Sequence, residues 1–374
     1  MKLLFSNPLS AALLIMISSC STPTNSDQVA IDRIDSLFTS LYPSNEPGAA
    51  VLILKGEEVI FEKGYGIADM VRLTPVTGKT FFNIASVSKQ FSAVALLMLQ
   101  EEGKLSLDDN LQKHFPKFKA PFYKDITLRH LLSHTSGIPD ARPRDDRHFV
   151  LTATDERSYA YLETLTALNF APGTAYEYMN PTYQLMFTII ERCSGEPFDH
   201  FMRERIFLPS GMTESVYFEE GREIPRMAYG YRPNPEGGFS KNDYGEASFF
   251  ATKADGGLYT SVEEFVLWEK ALRNNILISA QLKEEAHSSK ISIPELPYTG
   301  YGYGWFIEEN PRFPKKVYHT GNNGGFQIYA GRYPEQELLY LIFATRDDLD
   351  REATVEKLDL IMEAAGWLKK ASEY

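Results

Sequence analysis

At 374 residues the chain is about two average domains long, and with 43% hydrophobic and 24% charged residues and no low-complexity run its composition excludes a disordered protein. Its formal net charge of −12 is spread along the sequence, with no basic stripe or arginine-rich segment interleaved with aromatics, so nucleic acid has no footprint as a partner.

The first residues read as an export signal. Lys2 supplies a positive start, residues 9–17 an apolar run, and Ile17-Ser18-Ser19-Cys20 places small residues directly before a cysteine, in the manner of a bacterial lipobox. The expectation is a signal peptide over residues 1–19 and a lipid on Cys20 that anchors the protein to a membrane of the cell envelope. The apolar run is well short of the ~20 residues a spanning helix needs. Residues 20–27, polar and containing Pro23, read as a tether. Cys193, the second of two cysteines, lies in an apolar helical stretch and reads as a small buried hydrophobe without a disulfide partner.

The folded domain is expected over residues 28–370. Two apolar runs, 49–54 and 58–61, separated by Lys55-Gly56-Glu57, signal a β-hairpin. A helix is expected from about Ser86, with Phe91, Ala95, Leu96, Met98 and Leu99 on its apolar face and Gly103 as its stop. From 105 to 249 helical patches alternate with loops marked by proline and glycine, which predicts a mostly helical lobe. Residues 261–272 form an amphipathic helix capped by Ser261, with Glu264 three residues on. Segments 303–308, 326–333 and 338–344 read as strands, and 351–369 as a closing helix. Strands at both ends of the sequence with helices between them predict an α/β (α+β) fold. One antiparallel sheet from residues 28–104 and 250–370 is flanked by the first and last helices, with a cleft against the helical lobe.

The chemistry is sought first in Ser86-Val87-Ser88-Lys89. A serine hydroxyl is a poor nucleophile at neutral pH and needs a base within hydrogen-bond reach. At i and i+3 on a helix the two side chains share a face, and the positive end of the helix favours developing negative charge. Lys89 serves as a base only when uncharged, and moving its pKa from ~10.4 to ~7 takes about 4 to 5 kcal/mol of differential destabilisation of the cation.

Residues 82–89, Phe-Asn-Ile-Ala-Ser-Val-Ser-Lys, resemble the nucleophile segment of class C β-lactamases and of their relatives among penicillin-binding DD-peptidases and esterases. Tyr178-Met179-Asn180 resembles the Tyr-x-Asn element of that family, and His319-Thr320-Gly321 stands where many members carry Lys-Thr-Gly on a strand facing the nucleophile. Residues 126–138 and 255–260 are similar as well, so the resemblance runs from about Ile31 to about Trp367 with its elements in order. It implies that Ser86 attacks an amide or ester carbonyl to form an acyl-enzyme, and that Lys89 and Tyr178 move the proton. Asn180, His319, Thr320 and Gly321 would contact the substrate, and the main-chain N–H groups of Ser86 and Asn322 would form the oxyanion hole. Each such donor is worth about 3 to 4 kcal/mol. A tyrosine shuttles a proton in this scheme if lysine cations stabilise its phenolate.

His319 departs from the lysine of many β-lactamases, and an imidazole with an ordinary pKa of ~6.5 is largely neutral at pH 7. The cation that would read a substrate carboxylate is thereby missing. No cofactor is implied. His130 and His134, four apart, lack a glutamate or cysteine at zinc spacing, so no metal site is expected. Gly78-Lys79-Thr80 lacks the first glycine of a phosphate-binding loop, because Leu73 stands in its place. The aromatic segment 298–305 suits a substrate groove or a strand edge equally. Rival readings are a small-ester hydrolase and a catalytically silent binding or sensor protein of the same fold.

Overall fold

A computed structural model describes residues 25–143, 146–219, 221–242 and 252–373. The expected signal segment and Cys20 lie outside the described residues. The helix Asn25–Leu41 begins inside the segment read as a tether, and Asp27 is held in the fold by the Trp367 indole, whose Nε1 donates to Asp27 Oδ1 at 2.6 Å.

The described residues form an eight-stranded sheet in the order Ile291–Ser292, Thr299–Tyr301, Phe306–Glu308, Lys316–Asn323, Phe326–Tyr333, Leu338–Ala344, Ala49–Lys55 and Glu58–Tyr65. Every neighbouring pair is antiparallel. The N-terminal hairpin therefore joins the C-terminal strands through Ala49–Lys55, which pairs from Ala49↔Ala344 to Lys55↔Leu338. Its residues are buried on both faces, which is why they read as a continuous apolar run rather than an alternating one. Ala49, Val51 and Ile53 pack with Tyr340 and Ile342 against the first and last helices, through Ile34, Phe38, Leu358 and Ile361. Ala50, Leu52 and Leu54 face the opposite way, into a larger core that holds Phe82, Ile84 and the helix Lys89–Glu101.

Several elements differ from their expected extents. The segment from Ser86 opens as a 3-10 turn, Ala85–Ser88, and becomes an α-helix at Lys89. In 303–308 only Phe306–Glu308 is strand: Gly304 has φ +91, and a Cβ there would lie 3.0 Å from that of Ala93, so this turn packs directly on the buried helix. The last helix, Arg351–Ala364, stops before Gly366, whose φ is +73. Ser261 caps the helix Val262–Arg273 by accepting from Glu264 N–H at 3.1 Å. The Glu264 carboxylate turns instead to Glu214 N–H at 2.8 Å and to Ser215. Beyond Ser210 the described residues of the lobe hold no helix: Val216–Tyr217 pairs with Leu258–Thr260, which also pairs with Phe82–Asn83. That small sheet ties the lobe to the chain entering Ser86.

Candidate active site

The turn that carries Ser86 is held from both sides. Ile84 N–H donates to Leu258 O at 3.0 Å, and Ala85 N–H donates to Asn83 Oδ1 at 2.8 Å. Ala85 sits at φ 47, a left-handed conformation that costs a non-glycine residue of order 1 kcal/mol and persists only where its surroundings impose it. From Phe91 to Leu99 the following helix is buried all round, so its first turn enters the protein interior and takes Lys89 with it.

Lys89 is fully buried. Its Nζ lies 3.0 Å from Ser86 Oγ and donates to the main-chain oxygen of Asp255 at 2.8 Å. Burial lowers its pKa to about 8; the Asp255 carboxyl opposes that shift and the Arg142 guanidinium adds to it. Burial thus makes the shift, and two residues outside the motif adjust it in opposite directions.

Tyr178 reaches the same place from a loop built on His134, which itself adopts φ 57. His134 O accepts from Glu177 N–H at 3.0 Å, and its Nδ1 accepts from Met179 N–H at 3.1 Å. Its ring lies 4.3 Å from that of Tyr178, centroid to centroid. The Tyr178 hydroxyl is buried toward Ser86 without a hydrogen bond of full geometry, and Lys89 Nζ is 5.0 Å from the ring centroid. Burial raises the phenol well above its ordinary pKa, more strongly than the Ser86 hydroxyl lowers it. The condition on which the shuttle was framed, a phenolate held by lysine cations, is not favoured here, because burial keeps the Tyr178 phenol protonated. Asn180 opens the helix Asn180–Ser194, with Gln184 one turn further on the same face.

The strand Lys316–Asn323 passes beside the Ser86 turn. A Cβ on Gly321 would lie 2.5 Å from Ile84 O and 3.1 Å from Ala85 Cβ, so this approach requires glycine. Pairing with Phe306–Glu308 ends at Tyr318, which leaves the strand edge beyond it without a strand partner on that side. His319 is buried and its pKa falls to about 3, mainly from burial and then from Lys89. Its Nδ1–H donates to Thr320 O at 2.7 Å and its Nε2 accepts from the Tyr301 hydroxyl at 2.9 Å, the pattern of a neutral imidazole. Thr320 stands differently: it pairs with Tyr329, of the core packed on the first and last helices, and lines a separate cavity of about 490 Å³ with Tyr318 and Asp359 rather than the cleft that holds Ser86. Asn322 reaches the rim, where its Oδ1 accepts from Arg351 at 2.5 Å.

Ser86, Asn180 and Asn322 share a cleft of about 480 Å³ with Arg142, Gln184 and Asp255. Among the described residues no cluster of three or more His, Cys, Asp or Glu is placed to hold a metal ion. His130 Nδ1 accepts from Thr127 N–H at 3.1 Å, a helix cap rather than half of a ligand pair. Cys193 sits apart, half-buried, with Sγ 3.8 Å from His114 Nδ1. Sequence reasoning missed His134, Arg142, Gln184 and Asp255. Only His134 and Asp255 stood in stretches already singled out, and neither announced its role.

A family model described as Beta-lactamase matches residues 35–362. The chain is 27% identical over 345 residues to a penicillin-binding protein of Bacillus subtilis (strain 168), covering 88% of this chain and 75% of that one. It is 28% identical over 327 residues to Protein flp of Staphylococcus aureus (strain N315), covering 86% of this chain but only 64% of that protein. Among solved structures, the octameric penicillin-binding protein homologue from Pyrococcus abyssi superposes with a TM-score of 0.79 at 27% identity, covering 90% of this chain and 77% of that one. A D-amino acid amidase from Ochrobactrum anthropi SV3, at 24% identity and a TM-score of 0.75 over 91% of this chain and 98% of that one, shares the fold.

Proposed function

The chain belongs to the beta-lactamase family, and from that premise we propose that it is a serine hydrolase that cleaves an amide or ester bond through an acyl-enzyme on Ser86. The observation that carries this is the 3.0 Å approach of a buried, pKa-lowered amine to the Ser86 hydroxyl. With a pKa of about 8, about one Lys89 in ten is uncharged at pH 7 and able to accept the serine proton.

In the proposed sequence, neutral Lys89 takes the Ser86 proton as Oγ bonds to the substrate carbonyl. The oxyanion is met by the N–H groups of Ser86 and Asn322. The new lysine proton passes through the Tyr178 hydroxyl to the leaving nitrogen or oxygen, a relay that needs no phenolate. Water then repeats the cycle on the acyl-enzyme, with the same pair removing its proton. Substrates resembling those of penicillin-binding proteins and β-lactamases fit this scheme. A second reading, hydrolysis of small esters, is favoured by the uncharged His319, because an ester needs no cation to hold a carboxylate.

Incubation with a fluorophosphonate or a penicillin, followed by mass spectrometry, tests the premise: an adduct on Ser86 is expected, and its absence would leave a silent binding protein of the same fold. A panel of a chromogenic cephalosporin, a D-alanyl-D-alanine peptide and p-nitrophenyl butyrate then separates the substrates. Ester cleavage alone removes the β-lactamase reading. Export and lipid attachment at Cys20 are proposed from Lys2, the apolar residues 9–17 and the small residues before Cys20. Incorporation of labelled palmitate, lost in Cys20→Ala, is the check.

A further inference from the structure

The stretch of main chain that holds Lys89 is itself held by a carboxyl outside every motif. Asp155 opens the lobe helix Asp155–Tyr159 and is 1% exposed. Its Oδ2 accepts from Lys253 N–H at 2.7 Å and its Oδ1 from Ala254 N–H at 3.2 Å. Two successive peptide N–H groups thus converge on one side chain, and a carboxylate has an acceptor oxygen for each, where an amide of the same shape has one acceptor and one donor. Burial and then the Asp255 carboxyl raise the Asp155 pKa, and the two N–H groups oppose that rise.

The other edge of the same stretch faces the helix Lys89–Glu101. Ala254 O accepts from Ser92 Oγ at 2.6 Å, and Asp255 O accepts from Lys89 Nζ at 2.8 Å. Ser92 and Lys89 stand three positions apart on one helix face, so the two carbonyls grip the first turn in register. Lys253 adds ties through its side chain, with Nζ bonded to Asp199 and 3.2 Å from Glu219. Those ties leave its peptide group free to rotate, and among the described residues it is Asp155 that fixes the N–H edge. Lys89 Nζ makes its two hydrogen bonds to Ser86 Oγ and to Asp255 O, so a shift of this stretch swings the amine relative to the nucleophile. A misplacement of about 1 Å at a reacting group costs about 10²-fold in rate.

We propose that Asp155 is a positioning residue for the base: it clamps the peptide groups of Lys253 and Ala254, so that Asp255 O offers Lys89 a fixed acceptor and the amine stays aligned with Ser86. Asp155 touches neither the substrate nor the reacting atoms. The inference rests on the acyl-enzyme reading at Ser86 and extends it by tying the base to the helical lobe.

The experiment compares the purified full-length protein with Asp155→Asn and with Lys253→Ala, which deletes the side-chain ties and keeps the N–H. Labelling of Ser86 by a fluorophosphonate is followed against probe concentration, which separates the limiting rate from binding, at a pH above the Lys89 value of about 8, where the amine is uncharged in each protein. Rates are expressed per folded molecule, counted by circular dichroism. Asp155→Asn is expected to lower the limiting rate about tenfold or more with little change in the half-saturating concentration, while Lys253→Ala stays close to the wild type. A second variant replaces Ala254 by lactate, which deletes the N–H alone, and is expected to slow labelling several-fold; it decides the matter if Asp155→Asn does not fold. A wild-type limiting rate in folded Asp155→Asn or in the lactate variant overturns the clamp, whatever the change in Tm. An equal loss in Lys253→Ala also overturns it, because the ion pairs would then do the positioning. Absence of any adduct on wild-type Ser86 overturns the hydrolase reading itself.

Discussion

Lys89 Nζ lies 2.8 Å from the main-chain oxygen of Asp255, 166 positions away along the chain. A neutral amide oxygen holds the amine in place without paying its charge the compensation a bound carboxylate would give. The amine is therefore both positioned for Ser86 and inclined to lose its proton.

The pH dependence of acylation follows from that contact. Since Lys89 must be uncharged, kcat/KM is expected to rise about tenfold per pH unit below a single inflection near pH 8 and to level off above it. His319, with its pKa pushed down to about 3, adds no inflection between pH 6 and 7. A pH–rate profile for an uncharged ester with an inflection near 6.5 would contradict this assignment.

Replacement of the base should trade activity for stability. The folded pKa of Lys89, about 8, lies below the ordinary lysine value of 10.5. The unfolded chain thus binds the proton more tightly, the cost of burying the cation is fully present below pH 8, and it fades as pH rises toward 10.5. That cost is about 3 kcal/mol, against about 1 kcal/mol for leaving the Asp255 carbonyl unpartnered. Lys89→Met is expected to abolish Ser86 labelling yet raise Tm at pH 7, by a margin that narrows at pH 10. Thermal melts at the two pH values are the measurement.

Tyr178→Phe removes one oxygen that makes no hydrogen bond of full geometry in the folded protein. Its stability should stay within about 0.5 kcal/mol of the wild type. Turnover should fall by about 10²- to 10⁴-fold, the usual contribution of a positioned proton-transfer group. A variant of unchanged rate would remove Tyr178 from the relay.

Gly321→Ala places a Cβ 2.5 Å from the main-chain oxygen of Ile84, where no side-chain rotation relieves the clash. The strand must retreat from the Ser86 turn, at a cost of about 1 to 3 kcal/mol. Because the proposed Asn322 donor retreats with it, kcat is expected to fall more than tenfold while KM changes less. A fall in Tm with full kcat would place the oxyanion donors elsewhere.

Sequence and structure divide the site between them along a physical line. The spacing of Ser86 and Lys89 on one helical turn is a local property, as are the hairpin Ala49–Lys55 and Glu58–Tyr65, the Ser261 cap and the order of the motif elements; each depends on neighbours a few residues away and was legible. A motif names a residue without its face, and it is alternation along the strand that sets Thr320 beside Tyr329 and the core on the first and last helices.

By itself, then, the chain's pattern determined the family, the α/β layering, and the placing of an amine beside the Ser86 hydroxyl. Tertiary structure alone decided that this amine is buried and its pKa lowered, that Tyr178 is a neutral phenol, that His319 is uncharged, and that Gln184 and Asp255 share a wall with Ser86. Burial and field are sums over segments that meet only in three dimensions, and spacing along a sequence carries no record of which distant carbonyl or carboxyl will stand 3 Å away.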